Sequence, residues 1–320
     1  MMDPEAIWRE FPRNLAEFEE TFPDEDSCRR FLIKLRWGEC PRCSRCNSDA
    51  LWQLKSGRFE CSSCGRQTSV TAGTPLHGTR KPLKMWFRAI WEMTTHKGGI
   101  SAKDLQRIMG FGSYQTAWSW LHKLRRCAFF RDRTPLEGAV QLDDGYIGGR
   151  SQQTGRPNGT KAVVLVAAEA HGRVRMEHSP DLTIKTAKSF ADRNLKSISH
   201  VTTDGWRSFG QKSLGPRSHQ QHIQKKKRHF DSDPLQQAHY ALSLFKRCWI
   251  GTYHGAISWK HLQSYLDEFE FRHNRRNTLG VGRIAARLFQ SLVRNSPITY
   301  SSIVFNTFHV CVLRPPERTG

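Results

Sequence analysis

From Pro82 onward, Leu83, Trp86, Phe87, Ile90, Trp91 and Met93 recur at three- and four-residue intervals, the spacing of one apolar helix face. The pattern predicts a helix over 83–95, which Gly98 and Gly99 break. Ser101-Ala-Lys-Asp104 sets a hydroxyl three residues before an acid, close to a capping box, and predicts a short helix over 102–109. Gly110-Phe-Gly-Ser113 turns the chain into a further helix over 114–127, ending in Lys123-Leu-Arg-Arg126. Two helices joined by a tight glycine-bearing turn fit a helix-turn-helix; they also fit an antiparallel pair in a structural bundle. Upstream, Phe18, Phe22, Cys28, Phe31, Leu32 and Leu35 lie at roughly helical spacing, with Asp24 to Asp26 as a cap region.

After Pro135 the period changes. Alternating positions predict strands over 139–147, 161–169 and 173–178, the last two forming a hairpin, then a helix over 184–195 and a strand over 199–203. A helical stretch opens at His239. Strands and helices in this order predict an α/β fold built on a mixed sheet with helices. Residues 148–159 form a polar, glycine-rich connection between strands. The expected organisation is an N-terminal helical segment (1–36), a cysteine-rich module (37–76), a helix-turn-helix region (80–130), a sheet domain (135–295) and a C-terminal tail (296–320).

Five of the nine cysteines cluster between Cys40 and Cys64. Cys40-Pro-Arg-Cys43 and Cys61-Ser-Ser-Cys64 are two C-x-x-C knuckles with seventeen residues between them, the spacing of a tetrahedral four-cysteine zinc ribbon. Cys43-Ser-Arg-Cys46 is a competing knuckle. Cys40 is preferred because proline follows it, which leaves Cys46 as a bystander and Cys40, Cys43, Cys61 and Cys64 as the expected ligands of a structural Zn²⁺. Cys28, Cys127, Cys248 and Cys311 read as small buried hydrophobes.

Charge changes the picture further. Fifty Lys and Arg against 29 Asp and Glu give a formal charge of +21, a surplus that points to a polyanionic partner. The longest apolar run, 162–168, is too short to span a bilayer, and the N-terminus lacks the pattern of a signal peptide. The expected setting is the cytoplasm, with no membrane partner. Lys225, Lys226, Lys227 and Arg228 form the one basic run, read either as a grip on a phosphate backbone or as a solvated surface.

Against this basic background two aspartates stand out. Asp143 interrupts the first predicted strand and Asp204 ends the last, each beside a β-branched run and one or two residues before a glycine. An aspartate beside a glycine is ordinarily a turn former or a cap. Two carboxylates carried on strands, with a third donor on a helix, are what a two-metal phosphoryl-transfer site requires. Asp143 and Asp204 suit Mg²⁺; His239, with 34 residues between it and Asp204, suits Mn²⁺ better, or orients a water or hydroxyl. Lys246 follows His239 by seven residues, two turns along the same helix face, within reach of a phosphate. Asp144 is the local rival to Asp143 and faces the opposite way on a strand.

These residues together resemble a known family. Cys40-Pro-Arg-Cys43, Arg66-Gln-Thr-Ser-Val-Thr-Ala-Gly-Thr74, Asp143-Asp-Gly-Tyr-Ile-Gly-Gly149, Thr203-Asp-Gly-Trp206, Gly251-Thr-Tyr-His-Gly255 and the stretch 260–276 look like those of transposases of the fifteen-ninety-five group of bacterial insertion sequences. The resemblance runs from about Asp24 to Arg276. It implies a zinc ribbon and a helix-turn-helix ahead of a ribonuclease-H-like domain of the DDE type, with metal-dependent DNA cleavage and strand transfer. The family's catalytic positions carry over onto Asp143, Asp204 and His239, with Lys246 as the following basic residue. The first motif reads Asp-Asp-Gly where the family usually has Asp-Glu-Thr.

The implied partners are double-stranded DNA, as element ends and as target, and further copies of the chain in a homodimer or higher oligomer on DNA at the nucleoid. On the second helix of the helix-turn-helix, Gln115, Ser119, His122 and Lys123 are expected on exposed positions for base or phosphate contact. A rival from another class is a DNA-binding regulator whose nuclease-like domain has decayed; a nuclease that cuts without strand transfer is a third.

Overall fold

The computed structural model describes residues 9–38, 40–129, 133–148, 161–170, 172–223 and 233–306. These divide into two compact units. The first runs from the N-terminus to Ala128 and resumes at Thr278; the second is 129–277.

In the first unit, α1 (Leu15–Thr21) and α2 (Glu25–Trp37) begin at Asn14 and Asp24, whose side chains cap the free amides of Glu17 and Ser27. Asp24 and Ser27 form a reciprocal capping box, so the expected cap region is where α2 starts. Three short antiparallel strands follow: β1 (Leu51–Gln53), β2 (Phe59–Cys61) and β3 (Gln67–Thr68). Then come α3 (Leu83–Thr95), α4 (Ala102–Met109) and α5 (Tyr114–Ala128). Pro82 cannot cap α3 with its side chain; Glu25 does so instead, its two carboxylate oxygens accepting from Leu83 N at 3.0 Å and Lys84 N at 3.2 Å. The unit is completed by α10 (Gly282–Arg294) and α11 (Tyr300–Val304), which pack on α3 and α5 respectively. Phe289 of α10 lies 4.4 Å from the Phe87 ring and 5.3 Å from Phe31, closing an aromatic core with Phe11, Phe18 and Phe22.

The second unit is the expected mixed α/β sheet. Its strands are β4 (Ala139–Gly148), β5 (Lys161–Glu169), β6 (Val174–Ser179), β7 (His200–Thr203) and β8 (Ser218–Gln221), in the spatial order β6-β5-β4-β7-β8. β4, β5 and β6 form an antiparallel meander, while β7 and β8 add to β4 in parallel. α6 (Ile184–Asn194) covers one face, with Ala187, Phe190 and Ala191 packed on Val140, Leu142 and Leu165. α8 (Gln236–Gly251) and α9 (Leu262–His273) cover the other, with Ala238, Ala241, Leu242 and Phe245 on Ile147, Val164 and Val166. A short helix, α7 (Gln211–Leu214), links β7 to β8. β8 had no signature in the sequence: Ser218-His-Gln-Gln221 is a polar edge strand with no apolar alternation.

Candidate active site and metal centre

β4 and β7 pair in parallel with Val140 opposite Val201 and Gln141 opposite Thr202. Carried two residues further, the same register would lead Asp204, immediately after β7 ends, towards Asp143, and the charges of both act on Asp144. Neighbouring strands are about 4.8 Å apart, and residues in register on parallel strands share a face. Strand alternation assigns that face: Gln141, Asp143, Gly145 and Ile147 look towards α8, while Val140 and Leu142 look towards α6.

The three positions before Ile147 each meet α8 in turn. Gln141 Oε1 accepts from Gln237 N at 2.7 Å and Ala238 N at 3.1 Å, occupying two of the amides that a helix start leaves free. Asp143 Oδ2 lies 2.9 Å from His239 Nε2, and the other ring nitrogen, Nδ1, lies 2.5 Å from Asp233 Oδ2. Gly145 lies under Leu242, leaving no room for a side chain between strand and helix. The first turn of α8 is thereby fixed to β4, and His239 is carried to the buried Asp143 carboxylate. Its imidazole is held above its ordinary pKa, chiefly by the hydrogen bond to Asp143. Lys246 is exposed on the same helix face, two turns on.

Asp204 sits in its own turn: Oδ1 accepts from Trp206 N at 3.0 Å, and Gly205 takes φ +92°, a conformation that favours glycine. A Cβ at Gly205 would come 2.7 Å from Gln221 Nε2, so glycine also lets the turn close on β8. Asp144 points by alternation to the opposite face, and burial pushes its carboxyl up to about 7, with the charges of Asp143 and Asp204 adding to the shift.

Carboxylates and an imidazole are the donor types that divalent cations take. In an octahedral Mg²⁺ set with ligands about 2.1 Å away, adjacent donor atoms stand about 3 Å apart, close to the Asp143–His239 separation. The ligand atoms of Asp143, Asp204 and His239 do not all lie within 4.8 Å of one another; among the described residues only a cysteine group does so.

That group is Cys43, Cys46, Cys61 and Cys64. It differs from the expected set: Cys46 takes the place given to Cys40, which lies outside the cluster. The local backbone explains the exchange. After Cys46 comes Asn47 at φ +58°, its N–H donating to Cys43 O at 2.9 Å; after Cys64 comes Gly65 at φ +66°, donating to Cys61 O at 2.8 Å. Each knuckle therefore closes on a residue that tolerates the left-handed region, and a Cys40–Cys43 knuckle would need Ser44 there. Sulfurs about 2.3 Å from a tetrahedral zinc are about 3.8 Å apart. Cys43–Cys64 and Cys46–Cys61 stand at 3.6 and 3.5 Å, and the backbone N–H groups of Cys46 and Arg45 pull the Cys43 thiol down to about 6. The cluster fits a structural zinc.

The expected DNA-contacting residues of α5 fare unequally. Gln115 is exposed at the start of the helix. Ser119 is half-buried and its hydroxyl donates to Thr116 O at 3.0 Å. His122 is only 1% exposed and belongs to the core, contrary to expectation. Lys123 also turns inward, donating to Pro75 O at 3.3 Å with its ammonium 5.9 Å from the Trp86 ring. The cause is that α3, α4, α10 and α11 all pack on α5, so that beyond its first turn little of it faces solvent. Arg126 is likewise spent on Ser302, through its hydroxyl at 3.0 Å and its carbonyl at 2.6 Å. Lys225, Lys226, Lys227 and Arg228 lie outside the described residues. Among the described residues no helix is long and apolar enough to cross a membrane.

Two family matches bear on this arrangement. Residues 135–274 match the ISXO2-like transposase domain, and residues 23–67 match the transposase zinc-ribbon domain. No curated protein matches the chain. Among solved structures, similarity is found to the cryo-EM structure of the simian T-cell lymphotropic virus intasome in complex with the PP2A regulatory subunit B56 gamma, at 16% identity and a TM-score of 0.28. That match covers 54% of this chain and 65% of the other.

Proposed function

We propose, for a chain that belongs to the IS1595-type insertion-sequence transposases and carries both the zinc ribbon and the ribonuclease-H-like transposase domain, that it binds the terminal inverted repeats of its element and cuts and joins DNA there. The observation that supports the reading is the parallel pairing of β4 with β7, whose continuation leads Asp204 towards Asp143, together with the contact of His239 with Asp143.

In this reading Asp143 and Asp204 hold divalent ions, Mg²⁺ or Mn²⁺, with His239 as the third donor. When bound, the ions supply Lewis acidity and lower the pKa of a bound water or hydroxyl. The chain's residues supply position. β4 and the turn after β7 carry the two carboxylates, α8 presents the imidazole, and Lys246 holds the phosphate backbone. Water oxygen attacks the phosphorus at the element end, the bond from phosphorus to the 3′ oxygen breaks, and that oxygen leaves as a 3′-hydroxyl. The hydroxyl then attacks a target phosphorus in line, a new bond to the 3′ oxygen forms, and the target's own 3′ oxygen departs. The zinc ribbon and the exposed start of α5, with Tyr114 and Gln115, face the duplex, since a recognition helix reads bases with its N-terminal residues. The protein works on DNA as a dimer or larger assembly of its own copies.

The test is nicking of a terminal-repeat duplex with Mg²⁺ or Mn²⁺. Asp143→Asn and Asp204→Asn are each expected to abolish it while leaving duplex binding intact. If either variant cuts as well as the wild type, the site assignment is wrong. Joining of the cut 3′ end to a second DNA separates a transposase from a simple nuclease, and binding without cutting by the wild type supports the regulator instead.

A further inference from the structure

Sequence patterning singles out His239 but gives no part to Asp233, six residues earlier and outside any helical repeat. We propose that Asp233 is the positioning residue of this site: it fixes which imidazole nitrogen of His239 is presented to the Asp143 carboxylate and to a divalent ion held there. The inference rests on the reading of the site given above.

The Asp233 carboxylate makes two different bonds. Oδ1 accepts from Leu235 N at 3.1 Å, in the turn that leads into α8. Oδ2 faces His239 Nδ1 at 2.5 Å, and the carboxylate is nearly buried, with 9% of its side chain exposed. The imidazole is therefore clamped at both nitrogens, Nδ1 by Asp233 and Nε2 by Asp143. A histidine χ2 is a soft, roughly two-fold torsion, so the ring has little intrinsic preference between its two flipped orientations. Hydrogen bonding decides the matter. A carboxylate at Nδ1 keeps a proton there, so Nε2 is the nitrogen that faces Asp143, donating to it in the metal-free site and giving up its proton where a cation takes that place. The same contact makes the ring a stronger donor, as a carboxylate behind a metal-binding histidine generally does. Because the other oxygen of Asp233 is tied to the backbone at the start of α8, which Gln141 also secures, the ring's aim is referred to the helix and through it to β4.

A rival role is structural: Asp233 could serve only to form the turn before α8. Asp233→Ser separates the two, because a serine hydroxyl can still accept from Leu235 N but cannot reach the ring. Asp233→Asn keeps the shape and offers an amide N–H to Nδ1, which favours the opposite tautomer. The full-length, zinc-loaded protein is used, with Mn²⁺ binding measured by electron paramagnetic resonance, the imidazole nitrogens of His239 by ¹⁵N NMR without catalytic metal, and folding by thermal denaturation.

Both variants are expected to keep the wild-type melting midpoint, to change the Nδ1 and Nε2 resonances, and to weaken Mn²⁺ binding by about 10- to 100-fold. Asp233→Glu is expected to recover part of the loss. Unchanged ring signals and Mn²⁺ affinity in Asp233→Ser and Asp233→Asn, with Mn²⁺ binding lost in Asp143→Asn, overturn the role of Asp233 and leave the site standing. Mn²⁺ binding unaffected by Asp143→Asn as well overturns both.

Discussion

Gly145 of β4 lies so close to Leu242 of α8 that a Cβ on the glycine would stand 2.8 Å from Leu242 Cδ1 and 3.0 Å from Cδ2. The contact is two residues along the strand from Asp143 and three along the helix from His239. Strand and helix therefore approach one another at the spacing that brings carboxylate and imidazole together. Gly145→Ala is predicted to push α8 away from the sheet at a cost of about 1–3 kcal/mol, the usual range for overpacking. Urea denaturation measures that cost. Cleavage should fall by more than the unfolded fraction accounts for; equal cleavage per folded molecule would show that the Asp143–His239 contact does not depend on this packing.

The exchange of Cys40 for Cys46 gives a prediction in metal content. Cys46→Ser should lower bound zinc from about one per chain towards none, because three thiolates leave a structural site open. Cys40→Ser should keep it. Metal analysis of the purified variants decides between them, and zinc lost on substituting Cys40 would restore the set expected from the sequence.

Asp267, on the buried side of α9, accepts from Gln263 Nε2 at 2.9 Å, and burial pushes its carboxyl up to about 7. A carboxyl whose pKa is higher folded than unfolded holds its proton more tightly in the native state. Its contribution is complete below the unfolded value of 3.8 and is lost as pH rises through about 7. Relative to Asp267→Asn, the wild type should therefore lose stability between pH 4 and pH 7, by up to about 4 kcal/mol if the full shift is expressed. Thermal midpoints of both proteins across that range test the sign. A difference between them that does not vary with pH would show that Asp267 is ionised in the folded protein.

Lys246 gives a prediction on salt. It is an exposed cation on the helix that carries His239. Lys246→Ala should weaken binding across DNA sequences alike and reduce the slope of log affinity against log salt by about 1, the loss of one phosphate contact. An unchanged slope in fluorescence-anisotropy titrations would remove Lys246 from the DNA path.

Much of this architecture was legible because its pattern is local. The helices over 83–95 and 102–109 and the strand over 161–169 fall where apolar spacing and flanking breakers put them. Asp143 and Asp204 could be read as strand-borne carboxylates, but the parallel pairing of their strands could not, since a register between segments some sixty residues apart leaves no mark in either one. Asp233 was invisible because a turn residue six before a histidine belongs to no periodic face. Cys46 is hard to recognise because the proline after Cys40 is visible in the sequence, whereas the left-handed conformation of Asn47 after Cys46 is not. His122 and Lys123 were expected at the surface because α5 reads as amphipathic by itself, whereas α10 and α11, which cover it, arrive from more than 150 residues further along.

That late arrival bears on how the protein is made. The aromatic cluster around Phe11, Phe31 and Phe87 is closed by Phe289, so a growing chain cannot finish its first unit until the entire second unit has left the ribosome. Chains that end prematurely near residue 277 should expose that cluster and leave the first unit unfolded. Synthesis of this chain therefore favours all or nothing: a product that stops before α10 lacks the phenylalanine that closes the core of the first unit.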